Sequence, residues 1–536
     1  MTETQISLFP SRTINDLVAD IQNLTEEIQE LYCQDDIPFV IGWSGGKDST
    51  CVLQLIWYAI AALPPEKRTQ TIHVVTNDTL VENPIVSIWV SNSLKQMKVA
   101  AKEQGMLIET HLTYPVVQDT FWSCLIGKGY PAPRHGFRWC TERLKIKPAD
   151  SLIREVIRTS GEVNLVLGTR KAESTKRAAT MAKHREWRVR DRLNRNPTRP
   201  NSFMYLPIED WRTDEVWIYL NQWENPWGYS NKDLFNMYRG ATADNECPLV
   251  VDTSTPSCGS SRFGCWVCTL VNKDKSMEAM IQNDDEKEWM QPLLDIRNEL
   301  DIPNDHDKRD FRRIYGKVEL FERNLDGNIT VEPIPGPYKK EWREHWLRRV
   351  LEAQTQIRNT APLDMRDITL ISPEELSEIR RIWLEEKHEF DDSLPRIYQE
   401  VTGEPFIDNR IGDERKLLGS DEWAVLEEIC QEDKMHLELM AKLLDTERQY
   451  HVKSRRGIYE AIDKCFDSSS RSQEKAIENA HYQRNLKNAV KAVKENTGEI
   501  EEIRQALNKT DSDQGKQLSW ASLKFASQTK EEGEDT

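Results

Sequence analysis

The stretch Ser44-Gly45-Gly46-Lys47-Asp48-Ser49 contains what a backbone needs to hold a polyphosphate. Gly45 and Gly46 let the main chain approach an anion closely. Amide groups at the start of a helix, reinforced by its dipole, attract phosphate. Ser44 and Ser49 add hydroxyl donors, Lys47 adds a positive charge, and Asp48 can hold Mg2+ or cap the helix. A Walker A loop would require G-x-x-x-x-G-K-[ST]. Here three residues separate Gly42 from Gly46, and Lys47 is followed by Asp48, so that loop is excluded. A dinucleotide fingerprint G-x-G-x-x-G is absent as well.

The second chemically capable set is sulfur. Of ten cysteines, Cys33, Cys51, Cys124, Cys430 and Cys465 stand alone, whereas Cys247, Cys258, Cys265 and Cys268 cluster. In a reducing compartment such a cluster points to metal or redox chemistry rather than to disulfides. Cys265 and Cys268 form a C-x-x-C turn. With Cys258 seven residues earlier and one distant cysteine, they make a tetrathiolate set that suits zinc or a [4Fe–4S] cluster. Cys140, in "RWCTERLKIKP", is favoured over Cys247 as the distant ligand because it follows the nucleotide edge of the expected sheet.

These residues need a scaffold, and the surrounding pattern supplies one. Leu17, Ile21, Leu24, Ile28 and Leu31 have helical spacing and make residues 1–35 an N-terminal helical lead-in. "PFVIGW", "TIHVVTND", "LIETHLTY" and "NLVLGTR" read as strands. "TCVLQLIWYAIAAL", "PIVSIWVSNSLKQMKVAAKEQG" and "SLIREVIRT" read as the helices between them. This alternation predicts an α/β fold with a doubly wound parallel sheet over residues 36–272, its ligands at the carboxyl edge of the strands. Trp211, Trp217, Trp223 and Trp227 are expected in its core. Residues 273–340 read as an irregular connector containing a hairpin, 341–509 as a mainly helical C-terminal domain and 510–536 as a disordered polar tail.

The net charge of −17 argues against nucleic-acid binding on average. One segment runs the other way: Gly168 to Pro200 holds eleven Arg/Lys against Glu173, Glu186 and Asp191. That stretch is expected either to track a nucleic-acid backbone, with Trp187 available for stacking, or to form a solvated face or a lid over the nucleotide. No apolar run reaches transmembrane length and no signal peptide is read, so no membrane partner and a cytoplasmic location are expected.

S-G-G-K-D-S after a buried strand resembles the PP-loop of the ATP pyrophosphatase superfamily, which cleaves ATP to AMP and pyrophosphate. "LGTRKAES", with Gly168, Arg170, Glu173 and Ser174 in a G-x-R-x-x-E-S pattern, and "LPIEDWRTDEVWIYL" resemble the PAPS (phosphoadenylyl sulfate) reductase branch. The resemblance covers about Phe39 to Val271 and implies ATP with Mg2+ on Ser44 to Ser49. It also implies an adenosine-side loop at Asn77, Asp78 and Thr79, and a second phosphate loop at Gly168 to Ser174 in which Arg170 offers a guanidinium fork. Lys47, Asp48 and Arg170 are the implied catalytic groups. PAPS reductases are short and end near a catalytic cysteine, whereas this chain continues for more than two hundred residues. The loop, the basic stretch, "RWCTERLKIKP", the C-x6-C-x2-C cluster and the long extension together resemble DndC, the sulfurtransferase family of bacterial DNA phosphorothioation. That resemblance implies DNA as substrate, a cysteine desulfurase as sulfur donor, other Dnd proteins as partners, and a [4Fe–4S] cluster on Cys140, Cys258, Cys265 and Cys268. A sulfonucleotide reductase and a tRNA-thiolating enzyme are the rival readings.

Overall fold

The computed structural model describes residues 12–494 apart from 174, 184–187, 197–198, 242–262, 314–315, 326–327, 409–419, 432, 452–456 and 470–471. Ser174, Trp187, Cys247, Cys258 and the 510–536 tail therefore lie outside the described residues.

Helix α1 (Ile14–Gln34) begins at Thr13. Its hydroxyl accepts from Asp16 N at 3.2 Å, while Thr13 N donates to Asp16 Oδ2 at 2.8 Å, a reciprocal cap. The apolar positions spaced for a helix are the ones buried. The expected alternation follows: β1 (Phe39–Gly42), α2 (Lys47–Ala61), β2 (Ile72–Asn77), α3 (Pro84–Glu103), β3 (Ile108–Thr113), α4 (Lys147–Ser160) and β4 (Val163–Val166). Then come α5 (Thr175–Lys183), β5 (Arg188–Arg190), β6 (Leu193–Arg195), β7 (Ser202–Tyr205), α6 (Thr213–Gln222) and α7 (Asn231–Gly240).

The strands form one seven-stranded sheet in the order β3-β2-β1-β4-β7-β6-β5. The first five run parallel, and β6 and β5 add an antiparallel edge. The sequence does not reveal that edge, because a strand of three residues is too short to show a period. One face buries Phe39, Ile41, Ile72 and Val74 under α1, α2, α3 and α6, together with Trp211, Trp217 and Trp227. The other packs Val40, Val75 and Val163 against Ile153 and Val156 of α4. Helices on both faces make the sheet doubly wound. The chain departs in opposite directions from β1 and β4, which leaves a crevice between them at the carboxyl edge.

A second core is built by α8 (Lys275–Asn283), α9 (Gln291–Leu300), α10 (Lys340–Thr360), α11 (Pro373–Arg381) and α12 (Ser393–Thr402), with the hairpin β8 (Leu320–Leu325) and β9 (Asn328–Pro333) lying between α9 and α10 in the chain. Helices α13 (Ser420–Cys430), α14 (Lys434–His451), α15 (Ile458–Ser469) and α16 (Gln473–Lys494) complete the helical half. The expected hairpin is present, but 273–340 is no irregular connector. Met277, Leu293 and Ile296 of α8 and α9 are fully buried in this core.

The core also reaches back across the boundary drawn at 272. Residues 117–146, inserted between β3 and α4, contribute Phe121, Trp122, Leu125, Ile126 and Trp139 to it. Trp122 Nε1 donates to Leu370 O at 2.7 Å and Trp383 Nε1 donates to Ile126 O at 3.0 Å. The insertion contains π-helical turns at Ser123–Gly127 and Thr141–Ile146, which carry no helical or strand periodicity.

Candidate functional site

The Ser44–Ser49 loop closes β1 onto α2. Gly45 has φ +73, and a Cβ there would lie 2.6 Å from Val90 Cγ2, so both conformation and space require glycine. Gly46 occupies the cap position of α2 without a side-chain cap, which leaves the amides of Asp48 and Ser49 to a ligand. Ser49 ties the turn together: its hydroxyl donates to Gly46 O at 3.1 Å and accepts from Ser44 N at 3.2 Å. Tyr238 on α7 stands beside it. Its hydroxyl accepts from Lys47 N at 3.3 Å, and Lys47 Nζ lies 5.3 Å from its ring centroid.

The loop after β4 rests directly on this helix start. A Cβ on Gly168 would come within 2.9 Å of Asp48 C and O, so only glycine permits the approach. Two residues on, Arg170 is 1 % exposed. Its Nε donates to Asp48 Oδ1 at 2.7 Å, Nη1 to Trp211 O at 3.1 Å and Nη2 to Thr213 Oγ1 at 3.3 Å. The fork expected to grip phosphate is thus turned inward. Arg170 is a positioning residue that orients Asp48, whose other oxygen takes Lys47 Nζ at 3.1 Å. Glu173 turns back to accept from Arg170 N at 3.2 Å.

The β2 exit loop departs from its expected role in a similar way. Asn77 donates to Lys145 O at 2.9 Å and accepts from Thr113, and burial raises the pKa of Asp78, whose Oδ1 accepts from Leu80 N at 2.8 Å. Thr79, read as an adenosine contact, is fully buried against sulfur instead. Its hydroxyl donates to Glu82 Oε1 at 3.0 Å and lies 3.4 Å from Cys265 Sγ. Cys265 and Glu82 form a one-residue antiparallel bridge, flanked by Trp266 N donating to Val81 O at 2.9 Å and Asn83 N donating to Gly264 O at 3.3 Å. Cys268 N donates to Cys265 O at 3.0 Å, which closes the C-x-x-C turn. Lys145 Nζ lies 3.4 Å from Glu82 Oε1, and the nearby Cys265 sulfur is the main cause that raises its pKa. Burial, and to a lesser degree the neighbouring Cys268 sulfur, raises the pKa of the Cys140 thiol. Cys140, Cys265 and Cys268 therefore converge, with Glu82 and Lys145 beside them. No spacing in the sequence connects residues 82 and 145 with this cluster, although both lie inside stretches that attract attention for other reasons.

Burial, with Glu82 adding to it, pushes the Cys265 thiol up to about 12. Such a thiol stays protonated and unreactive until a metal takes the place of its proton. A single zinc, with Zn–S bonds of about 2.3 Å, would draw thiolates to roughly 3.8 Å from one another. Among the described residues no three of these thiols have their sulfurs within 4.8 Å of one another. Zinc and a [4Fe–4S] cluster both suit a thiolate set of this kind.

The two parts of the edge communicate through aromatic rings. Phe263, two residues before Cys265, packs on Tyr238 with ring centroids 4.7 Å apart, and Tyr238 touches Lys47. Among the described residues, most of the basic side chains of this segment are paired inside the molecule. Lys171 pairs with Asp210 at 2.6 Å, Arg188 with Glu209 at 2.6 Å, Arg192 with Asp20 at 2.7 Å and Glu27 at 2.9 Å, and Arg199 with Asp150. A cavity of about 1570 Å3 opens away from this edge, between the start of α10 and α13–α15, with lining residues of both charge signs. No helix among the described residues is long and apolar enough to cross a membrane.

Comparison with known proteins bears on the domain that carries these loops. An uncharacterised protein of Methanocaldococcus jannaschii is 28% identical over 207 residues, 39% of this chain and 35% of that relative, so the chain spans about a third of the curated relative it matches. Among solved structures, a U34-tRNA thiolase from Methanococcus maripaludis with its [4Fe-4S] cluster covers 55% of this chain and 86% of its own at 13% identity and a TM-score of 0.24. Residues 38–270 match the phosphoadenosine phosphosulfate reductase domain family. The S-G-G-K-D-S loop, seated between β1 and α2, and the loop after β4 both lie inside that match, so this part of the chain is similar to a phosphoadenosine phosphosulfate reductase domain.

Proposed function

We propose that the protein is an ATP-dependent sulfurtransferase of the DndC type. It would activate a DNA backbone phosphate with ATP and replace one of its oxygens by sulfur. The observation that carries this reading is the thiol cluster on the β2 exit loop, next to a phosphate loop of the ATP pyrophosphatase kind and linked to it through Phe263, Tyr238 and Lys47.

The residues divide the work. The free amides at the start of α2 and the hydroxyls of Ser44 and Ser49 bind the pyrophosphate part of ATP. Arriving ATP with Mg2+ competes for the Lys47–Asp48 contact. Nζ then turns to phosphate and Asp48, still held by Arg170, faces the cation. A DNA phosphate oxygen attacks the α-phosphorus, and pyrophosphate leaves. A persulfide supplied by a cysteine desulfurase then attacks phosphorus through its outer sulfur, AMP leaves with the former DNA oxygen, and a second thiol cleaves the S–S bond, so that sulfur stays on phosphorus and the two thiol sulfurs join as a disulfide. Lys47 and Mg2+ screen the charge that gathers as these anions meet. Cys140, Cys265 and Cys268, with Cys258 as fourth ligand, would hold a [4Fe–4S] cluster, which supplies a soft centre for sulfur. DNA and the other Dnd proteins are the partners in this reading. With so many arginines already paired, the electrostatic contact to DNA falls to groups such as exposed Arg195 and to partner proteins.

Lys47→Ala is the direct test. Pyrophosphate release from ATP should fall at least about a hundredfold, as for loss of one preorganised stabilising group, while the melting temperature stays close to wild type. Unchanged turnover would remove the loop from the mechanism. Mass spectrometry of nuclease-digested DNA, from cells with and without the protein, should show phosphorothioate-linked dinucleotides only with it. Sulfite production from an adenylyl sulfate, with no such dinucleotides, would establish the sulfonucleotide reductase instead.

A further inference from the structure

A separate group of ligand-type side chains stands on the sheet, remote from the cysteines. His73 lies on β2 and Glu109 and His111 on β3. The register pairs His73 with Glu109 and Val75 with His111, so the three side chains share one face of two adjacent strands. It is the face that carries α4, since Val75 belongs to the α4 core. His73 Nδ1 is 3.0 Å from His111 Nε2 and 3.5 Å from Glu109 Oε2, and His111 Nε2 is 3.7 Å from the same carboxylate oxygen.

These distances have a simple consequence. A triangle with sides of 3.0, 3.5 and 3.7 Å has a circumscribed circle of radius about 2.0 Å. That is the length of a zinc–imidazole or zinc–carboxylate bond, about 2.0–2.2 Å. One point between the three donors is therefore at bonding distance from all of them, with no side chain moved. The arrangement also leaves solvent access for a fourth ligand, because the Glu109 side chain is 61 % exposed and those of His73 and His111 are 14 % and 26 % exposed.

We propose that His73, Glu109 and His111 bind a single first-row divalent transition ion of the zinc type, with water completing its shell. Two imidazoles and one carboxylate favour such an ion over Mg2+ or Ca2+, which take all-oxygen shells. The ion has a structural task. β3 is the edge strand of the sheet, and a metal bridging β2 and β3 fastens that edge through side chains as well as through the backbone ladder. The proposal does not depend on the substrate of the enzyme or on the thiol site.

Cobalt is the probe. The full chain is titrated with Co2+, and bound equivalents are counted together with the absorption spectrum. Co2+ on thiolates gives intense near-ultraviolet charge-transfer bands, whereas Co2+ on imidazole and carboxylate gives only weak visible bands. Wild type should bind one equivalent more than His73→Ala or His111→Ala, with the charge-transfer bands unchanged. Glu109→Gln should bind that equivalent at least tenfold more weakly. Zn2+ should raise the melting temperature of wild type and leave that of His73→Ala unmoved. Equal cobalt content and equal affinity in wild type and Glu109→Gln would overturn the proposal and leave an ordinary hydrogen-bonded histidine pair. That carboxylate is on the surface, so Glu109→Gln decides the question even if a histidine variant does not fold.

Discussion

Helices α2 and α11 each carry a carboxylate in the first turn, and they treat its charge in opposite ways. Asp48 at the start of α2 is held between two cations, Arg170 and Lys47. Glu375 at the start of α11 is 2 % exposed and satisfied by hydrogen bonds: its Oε2 accepts from Ser372 N at 2.9 Å, in a reciprocal cap with the Ser372 hydroxyl. The charge acting on it is Glu374, of the same sign, and burial pushes it up to about 7. The first helix start brackets its carboxylate between a buried arginine and a lysine. The second needs only an acceptor and gives up the charge. The difference separates a helix start that handles an anionic ligand and its cation from one that joins two packed segments.

The contrast breaks most visibly at Arg170. Arg170→Met should remove about 3 kcal/mol from stability, because it strands a partly buried carboxylate and two acceptors. Chemical denaturation would read this loss, and Asp48→Asn in the same chain should recover part of it. A loss below about 1 kcal/mol, the range of an exposed pair, would show that Asp48 does not need its arginine. Next comes Glu375. Its folded pKa lies above the unfolded value, so its contribution is fully present below about pH 4.5 and is lost as pH rises through about 7. Wild type should therefore lose up to about 3 kcal/mol across that window relative to Glu375→Gln. Parallel stability curves for the two proteins would return Glu375 to the ionised class. The smallest effect belongs to Arg190. It meets Glu30 at 3.3 Å with the glutamate side chain well exposed and its own half-buried, and Arg190→Ala should cost about 1 kcal/mol or less.

Much of the nucleotide edge is legible from sequence because it is local. β1, the glycine turn and α2 follow one another within about two dozen residues, and each announces itself by apolar runs or glycine. Cys265 and Cys268 are legible for the same reason, and Cys140 stands out among basic neighbours. The partners are not legible. Arg170 can be singled out by its pattern, but that its guanidinium faces Asp48 rather than phosphate depends on β4 lying beside β1. Thr79 can be placed on a loop, yet its sulfur neighbour lies 186 residues away. The helical half hides for another reason. Its core needs the 117–146 insertion, whose first π-helical turn buries all of its residues and so shows no period.

That insertion also sets a timetable. Trp122 is hydrogen-bonded to a carbonyl 248 residues further along the chain. At a synthesis rate of about 5–20 residues per second, its partner appears roughly 12 to 50 s after it. The parallel strands are complete once Tyr205 has been made, long before α10 and α11. During that interval a finished sheet carries an apolar arm, with Phe121, Trp122, Leu125 and Ile126 still waiting for the surface that will cover them. A ribosome-bound chain of this protein is therefore sticky at one defined place, and a chaperone that binds short aromatic-rich segments has a single obvious point of attachment.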